Sequence, residues 1–205
     1  MESVMDSPRL LPPDQHPFVL ASGSPRRRDI CASIGLIPDQ IIAPDIDETA
    51  RPREMPRAYA LRMAVEKANE IRRRNTDSFI LAADTVVACG RRILPKAENE
   101  AEQIACLALL EGRAHRVWGG ICLITPAGHQ MTRLAESRVQ MRRLGADERA
   151  AYLASKEGLG KAGGYAIQGL AAGFIHHLSG SWSNIVGLDA YLVHNMLRAA
   201  DFHYG

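Results

Sequence analysis

One segment limits the fold more than any other: Phe79-Ile80-Leu81-Ala82-Ala83-Asp84-Thr85-Val86-Val87-Ala88-Cys89. Apart from Asp84, its residues are apolar, small or β-branched at consecutive positions, without alternation. That pattern belongs to a strand buried on both faces, as parallel or central strands are. A bare carboxylate is prohibitively costly in such a strand, so Asp84 must be paired, bound to a metal or neutralised. Two readings stand side by side. Asp84 is a structural residue at a strand end, or it is the chemical group of a site that the strand carries.

The chain has 205 residues, 46% hydrophobic and 23% charged, which is ordinary for a globular protein with a full core. A formal net charge of +2 argues against a general nucleic-acid binder. Positive charge is local instead, in Arg26-Arg27-Arg28, Arg72-Arg73-Arg74, Arg91-Arg92 and Arg142-Arg143, and such runs are more often solvated faces than sites. Cys31, Cys89, Cys106 and Cys122 lie far apart, with no CxxC and no metal-ligand spacing, so zinc is not expected. Each sits among apolar residues, which suits a reducing, cytoplasmic setting. No apolar stretch approaches the ~20 residues of a membrane span, so no membrane partner is expected. Met1 to Pro17 is polar and proline-rich; it reads as a disordered leader before a single α/β domain over 18–205.

Along the chain, Phe18-Val19-Leu20-Ala21 reads as a first strand running into Ser22-Gly23-Ser24-Pro25-Arg26-Arg27-Arg28. Ser24 suits a helix cap and Pro25 the first helical turn. Arginines in a first turn oppose the helix dipole, and a bound anion would reverse that cost. Serines, a glycine, arginines and free N–H groups at a helix start suit a phosphate cradle; the alternative is a capped helix with solvated arginines. The acidic stretch Asp45-Ile46-Asp47-Glu48-Thr49 suits either a hard divalent cation or an exposed turn. A long helix is expected from Pro56 to Arg74, with Lys67 at the edge of its apolar stripe. A hairpin at Gly90, a helix over Glu98 to Leu110, strands over His115 to Ile124 and Met131 to Val139, and a helix capped by Asp147 follow. Lys161 to Gly169 reads as a glycine-rich, strand-like stretch whose backbone closely approaches a ligand or another strand. A strand over Phe174 to Leu178 and a final helix capped by Asp189 complete a mixed order of the α/β class.

Three local matches fail on context. Gly158-Leu159-Gly160-Lys161-Ala162-Gly163 fits G-x-G-x-x-G but follows a helix-like stretch. As a P-loop it lacks the first Gly, at Ser155, and the Ser or Thr, at Ala162. Ser22 and Ser24 have no nucleophile elbow.

Several segments in order are similar to the Maf-like nucleoside triphosphate pyrophosphatases. They are Leu20-Ala21-Ser22-Gly23-Ser24-Pro25-Arg26-Arg27, Glu66-Lys67-Ala68, Ala83-Asp84-Thr85, Lys96, Gly112-Arg113-Ala114-His115-Arg116-Val117, Lys161 to Gly169, and Gly180-Ser181-Trp182-Ser183-Asn184-Ile185-Val186-Gly187-Leu188. The resemblance implies an elongated fold like that of inosine triphosphatases: a twisted mixed β-sheet flanked by helices, with a cleft between two lobes. It implies metal-dependent hydrolysis of a nucleoside triphosphate between the α and β phosphates, with Mg or Mn as cofactor, and a homodimer. Carried over by motif, Asp84 is the proton acceptor, aided by Lys67 and Lys96. Arg26, Thr85 and Gln168 are specificity positions, Ser22 and Arg27 contact substrate, and Glu48 with Asp84 holds the metal. Thr85 and Gln168 match the dTTP/UTP branch; a sister branch acting on 7-methyl-GTP has other residues there, and a non-enzymatic septum-formation regulator is a third reading. The Pro95-Lys96 order, Trp118-Gly119 and Asp189 depart from the common pattern.

Overall fold

The strand expected over Phe79–Cys89 is the centre of a mixed seven-stranded sheet. The structure is a computed structural model, and it describes residues 8–205. In chain order the strands are β1 (Leu10–Leu11), β2 (Phe18–Ala21), β3 (Gln40–Ile41), β4 (Phe79–Cys89), β5 (Arg92–Leu94), β6 (Ala114–Ile124), β7 (Gln130–Met141), β8 (Ile175–Ser179) and β9 (His203–Tyr204). The helices are α1 (Pro25–Ser33), α2 (Pro56–Arg72), α3 (Glu100–Leu110), α4 (Ala146–Ala154), α5 (Trp182–Val186) and α6 (Ala190–Arg198). The large sheet runs β3-β2-β4-β6-β7-β8, with β5 paired to β4.

β4 is parallel to β2 and antiparallel to β6, which explains its unbroken apolar run: it is hydrogen-bonded on both edges and covered on both faces. The two faces separate by the period of two. Ile80 and Ala82 join Val19, Ala21, Cys122 and the α2 residues Ala64, Ala68 and Ile71 in one cluster. Phe79, Leu81, Ala83 and Val87 join the larger core beneath α1, α3 and α6. The α2 side is made of small residues, so that helix lies close to the sheet. A Cβ on Gly120 would come within 2.1 Å of the Ala60 carbonyl oxygen, so only glycine fits there. Gly120 is the register partner of Asp84 on β6.

The pairing of β4 also opens the cleft. β2 covers Phe79–Ala82 on one edge, and β5 takes up the same edge again only at Val87. Among the described residues no strand covers residues 83–86 on that side. Asp84 and Thr85 therefore sit where the sheet has a notch, at the C-terminal end of β2, the place where open α/β sheets bind ligands.

Some expectations need correction. Residues 1–7 of the expected leader lie outside the described residues. Residues 8–17 are not a disordered leader: Leu10 and Leu11 pair with Tyr204 and His203, and Leu10 is buried. Its strand partner is at the far end of the chain, so nothing local announces it. α4 is capped by Gly145, whose N–H donates to Glu148 at 2.9 Å, and not by Asp147. The stretch expected as strand-like after Lys161 is a series of turns, because Gly160, Gly163 and Gly164 all take positive φ.

Candidate active site

Every residue singled out by motif lines a single cavity of about 620 Å³: Ser22, Arg26, Arg27, Glu48, Lys67, Asp84, Thr85, Lys96 and Gln168. They come from six separate segments, and the fold explains how each arrives.

Asp84 follows Ile80 and Ala82 onto the α2 face of β4, and α2 delivers Lys67 to the same place. Both are buried, and Lys67 Nζ lies 2.6 Å from Asp84 Oδ1. The same ammonium lies 2.8 Å from Glu48 Oε1, and Lys96 Nζ donates to Glu48 Oε2 at 3.0 Å. The result is an alternating chain of charges, Asp84–Lys67–Glu48–Lys96, across the cleft. Burial pulls the Glu48 carboxyl upward, but Lys67 and then Lys96 outweigh it and hold it at about 2. The Glu48 loop is fastened to α2 by its own backbone: Tyr59 Oη donates to the Glu48 carbonyl at 2.6 Å, and Arg62 donates to the Thr49 carbonyl at 3.1 Å. Of the acidic stretch, Glu48 lines the cavity while Asp45 and Asp47 do not.

Thr85 points to the opposite face and meets α1. Arg27 is the hub there. Its Nε donates to the Gly187 carbonyl at 2.9 Å, one terminal nitrogen to Ser22 Oγ at 3.1 Å and the other to Thr85 Oγ1 at 3.3 Å. The Thr85 hydroxyl in turn donates to the Gly187 carbonyl at 3.0 Å. Arg27 thus ties the β2–α1 turn to the loop after α5. Arg26 differs: its Nε is buried with no hydrogen-bond partner among the described residues. Burial lowers its pKa, and the neighbouring charge of Arg27 lowers it further. A buried arginine nitrogen left unpaired at a helix start is chemically suited to an anion.

Lys96 is set by a second staple. Its backbone bridges Ala162, the Ala97 N–H donates to the Lys161 carbonyl at 3.1 Å, and the Gly163 N–H donates to the Pro95 carbonyl at 3.0 Å. This brings Lys161, which the sequence reading passed over as a failed P-loop lysine, into the cavity wall. Burial lowers the Lys161 pKa, and Arg26 lowers it further. Its position beside the glycine turns was the available signal. Gln168 lies exposed at the rim. Of the departures from the common pattern, Asp189 caps α6 by accepting the Leu192 N–H at 2.9 Å. Beside Trp118, Gly119 leaves room for Asn184, whose Oδ1 would lie 2.0 Å from any Cβ there.

Among the described residues, no group of three or more His, Cys, Asp or Glu side chains gathers as a metal cluster. Asp84 and Glu48 are a pair of hard oxygen donors facing one cavity. Mg²⁺ commonly takes only one or two protein carboxylates and completes its shell with phosphate and water, so this pair fits such an ion.

Fold and cleft together define an α/β protein whose cavity gathers arginines and lysines around a buried carboxylate. Residues 17–200 match the family model described as Maf-like protein, and the chain belongs to that family. It is 54% identical over 185 residues to a protein of Caulobacter vibrioides named dTTP/UTP pyrophosphatase, covering 90% of this chain and 96% of the relative. A protein of the same name from Mesorhizobium japonicum is 52% identical, over 90% of this chain and 92% of its own. Among solved structures, a nucleoside-triphosphatase (dITP/XTP pyrophosphatase) from Mycobacterium abscessus aligns with a TM-score of 0.43 and 18% identity, covering 63% of this chain and 74% of that chain.

Proposed function

We propose that this chain is an enzyme that hydrolyses dTTP and UTP to the monophosphate and pyrophosphate. The observation that carries the proposal is the pairing of Asp84 with Lys67 in a cleft that also gathers Arg26, Arg27, Lys96 and Lys161. The close relatives named dTTP/UTP pyrophosphatase support the choice of base.

A triphosphate carries about four negative charges, and phosphoryl transfer is mostly a matter of positioning and neutralising them. Arg26, with its unpaired Nε, and the start of α1 receive phosphate oxygens; Lys96 and Lys161 do the same from the opposite wall. Lys67 fixes Asp84 Oδ1, which leaves Oδ2 to orient a water and take its proton. That water adds to one of the two phosphorus atoms flanking the α–β bridging oxygen. The bond to the bridging oxygen breaks, and its electrons leave with the departing phosphate group. Glu48 and Asp84 would hold a divalent cation, which supplies further charge neutralisation when bound. Gln168 offers both a donor and an acceptor to a pyrimidine edge. Thr85, engaged with Arg27 and Gly187, sets the neighbouring wall.

The unpaired thiols Cys31, Cys89, Cys106 and Cys122 suit a reducing compartment, and with it the cytoplasm. No helix among the described residues is long and apolar enough to cross a membrane. A homodimer and the absence of a stable nucleic-acid partner complete the proposal.

The test is a panel of nucleoside triphosphates with pyrophosphate detection and added Mg²⁺ or Mn²⁺. UTP and dTTP are expected to turn over fastest. Fastest turnover on 7-methyl-GTP would assign the chain to the sister activity, and no turnover with tight DNA binding would defeat the enzyme reading.

A further inference from the structure

Gln168 sits in a segment with no helix or strand of its own, the turn that follows Tyr165. A side chain that selects a base by hydrogen bonds has to be held to a fraction of an ångström. What holds this one lies below it, in the core. Tyr165 belongs to the cavity wall, and its hydroxyl meets His115 Nε2 at 2.7 Å. The two rings meet edge to face, with centroids 5.4 Å apart. The next residue is fixed as well: the Ala166 N–H donates to the Tyr152 hydroxyl at 3.1 Å. Beyond Gln168, the Leu170 N–H donates to both carboxylate oxygens of Glu157, at 3.1 and 2.9 Å.

The His115–Tyr165 pair is not the most stable way to fill this space. His115 is 2% exposed and its Nδ1 has no partner among the described residues. A buried polar group left half-satisfied costs stability, and an apolar pair of the same shape would avoid that cost. What an apolar pair could not supply is a fixed direction and distance for the Tyr165 side chain.

We infer that His115, together with Tyr152, is a positioning residue for base selection: through the Tyr165 hydroxyl it fixes the turn that presents Gln168 to the pyrimidine. The inference rests on the pyrimidine reading given above. Its test compares kcat/KM for UTP and CTP, which differ only in the polar groups of the base edge. The variants are Tyr165→Phe, His115→Leu and the double Tyr165→Phe/His115→Leu, each with its thermal unfolding midpoint. Each single variant strands one buried polar partner, so both the midpoint and the UTP:CTP ratio fall. The ratio is expected to drop about tenfold, through KM more than kcat. The double variant strands neither group. Its midpoint recovers while its ratio stays low. A ratio that never moves, or one that recovers together with the midpoint, overturns the inference and leaves a structural role only. If a single variant does not fold, the double variant decides alone. A wild-type enzyme that does not prefer UTP overturns the pyrimidine reading, and this inference with it.

Discussion

Lys67 Nζ stands 2.6 Å from Asp84 Oδ1 and 2.8 Å from Glu48 Oε1, so one buried ammonium joins the β4 carboxylate to the loop on the far side of the cleft. Breaking a buried pair from one side is far more costly than replacing both partners. Lys67→Met is therefore expected to destabilise by about 3–5 kcal/mol, with Asp84 left buried and unpaired. The double variant Lys67→Met/Asp84→Asn should recover most of that loss. Urea unfolding of the three proteins checks it.

Two titrations should appear in separate pH windows of stability. His115 is pushed down to about 4 by burial from an ordinary 6.5, so it stays neutral in the fold while the unfolded chain takes up a proton. Its contribution is complete above about pH 6.5 and is lost as pH falls toward about 4. Glu48 is held at about 2 against an ordinary 4.5, chiefly by Lys67 against the opposing pull of burial. Its contribution is complete above about 4.5 and is lost as pH falls toward about 2. Thermal midpoints measured from pH 7 to 2.5 are expected to lose the upper slope in His115→Leu, and in Glu48→Gln to lose part of the lower one, which Glu54 and Glu148 share.

Gly120 faces Asp84 across the β4–β6 pair, and its missing side chain is what lets α2 approach. Gly120→Ala pushes a methyl group into the Ala60 carbonyl, 2.1 Å from the Cβ position. Overpacking of this kind costs about 1–3 kcal/mol, and here it also moves Lys67 away from Asp84. Lower stability accompanied by a lower kcat is the expected result, read from urea unfolding and steady-state kinetics.

The adjacent arginines should behave differently. Arg26 has an unpaired Nε in the cavity wall, whereas Arg27 spends its donors on Gly187, Ser22 and Thr85. Arg26→Met is expected to raise KM for UTP about tenfold or more, with stability changed by less than about 0.5 kcal/mol. Arg27→Met is expected to lose about 1–2 kcal/mol of stability, because it unties three contacts inside the protein.

The sequence was most legible where its chemistry is local. The unalternating run of Phe79–Cys89 announces a central strand, and Asp84 announces itself as the residue that must be answered. Pro25 and Gly35 bracket α1, and Asp189 caps α6, close to where their side-chain preferences place them. Lys67 at the margin of an apolar stripe could equally be a surface lysine, and only the depth of α2 on the glycine-bearing β6 makes it a buried partner. The Lys67–Glu48–Lys96 bridge joins residues far apart in the chain, which no spacing rule encodes. The same holds for the β1–β9 pair and for the staple between Pro95–Ala97 and Lys161–Gly163. The stretch after Lys161 misled because glycines weaken strands and enable turns alike; their positive φ is fixed by tertiary contacts.

The most direct test of the account is a product-resolved turnover of UTP by the wild-type protein and by Asp84→Asn. UMP and pyrophosphate are expected in equal amounts from the wild type. Removing the proton acceptor is expected to lower kcat by about 10²–10⁴-fold, with UTP binding measured by calorimetry little changed. Release of UDP and orthophosphate, or an Asp84→Asn variant that retains the wild-type rate, would contradict it.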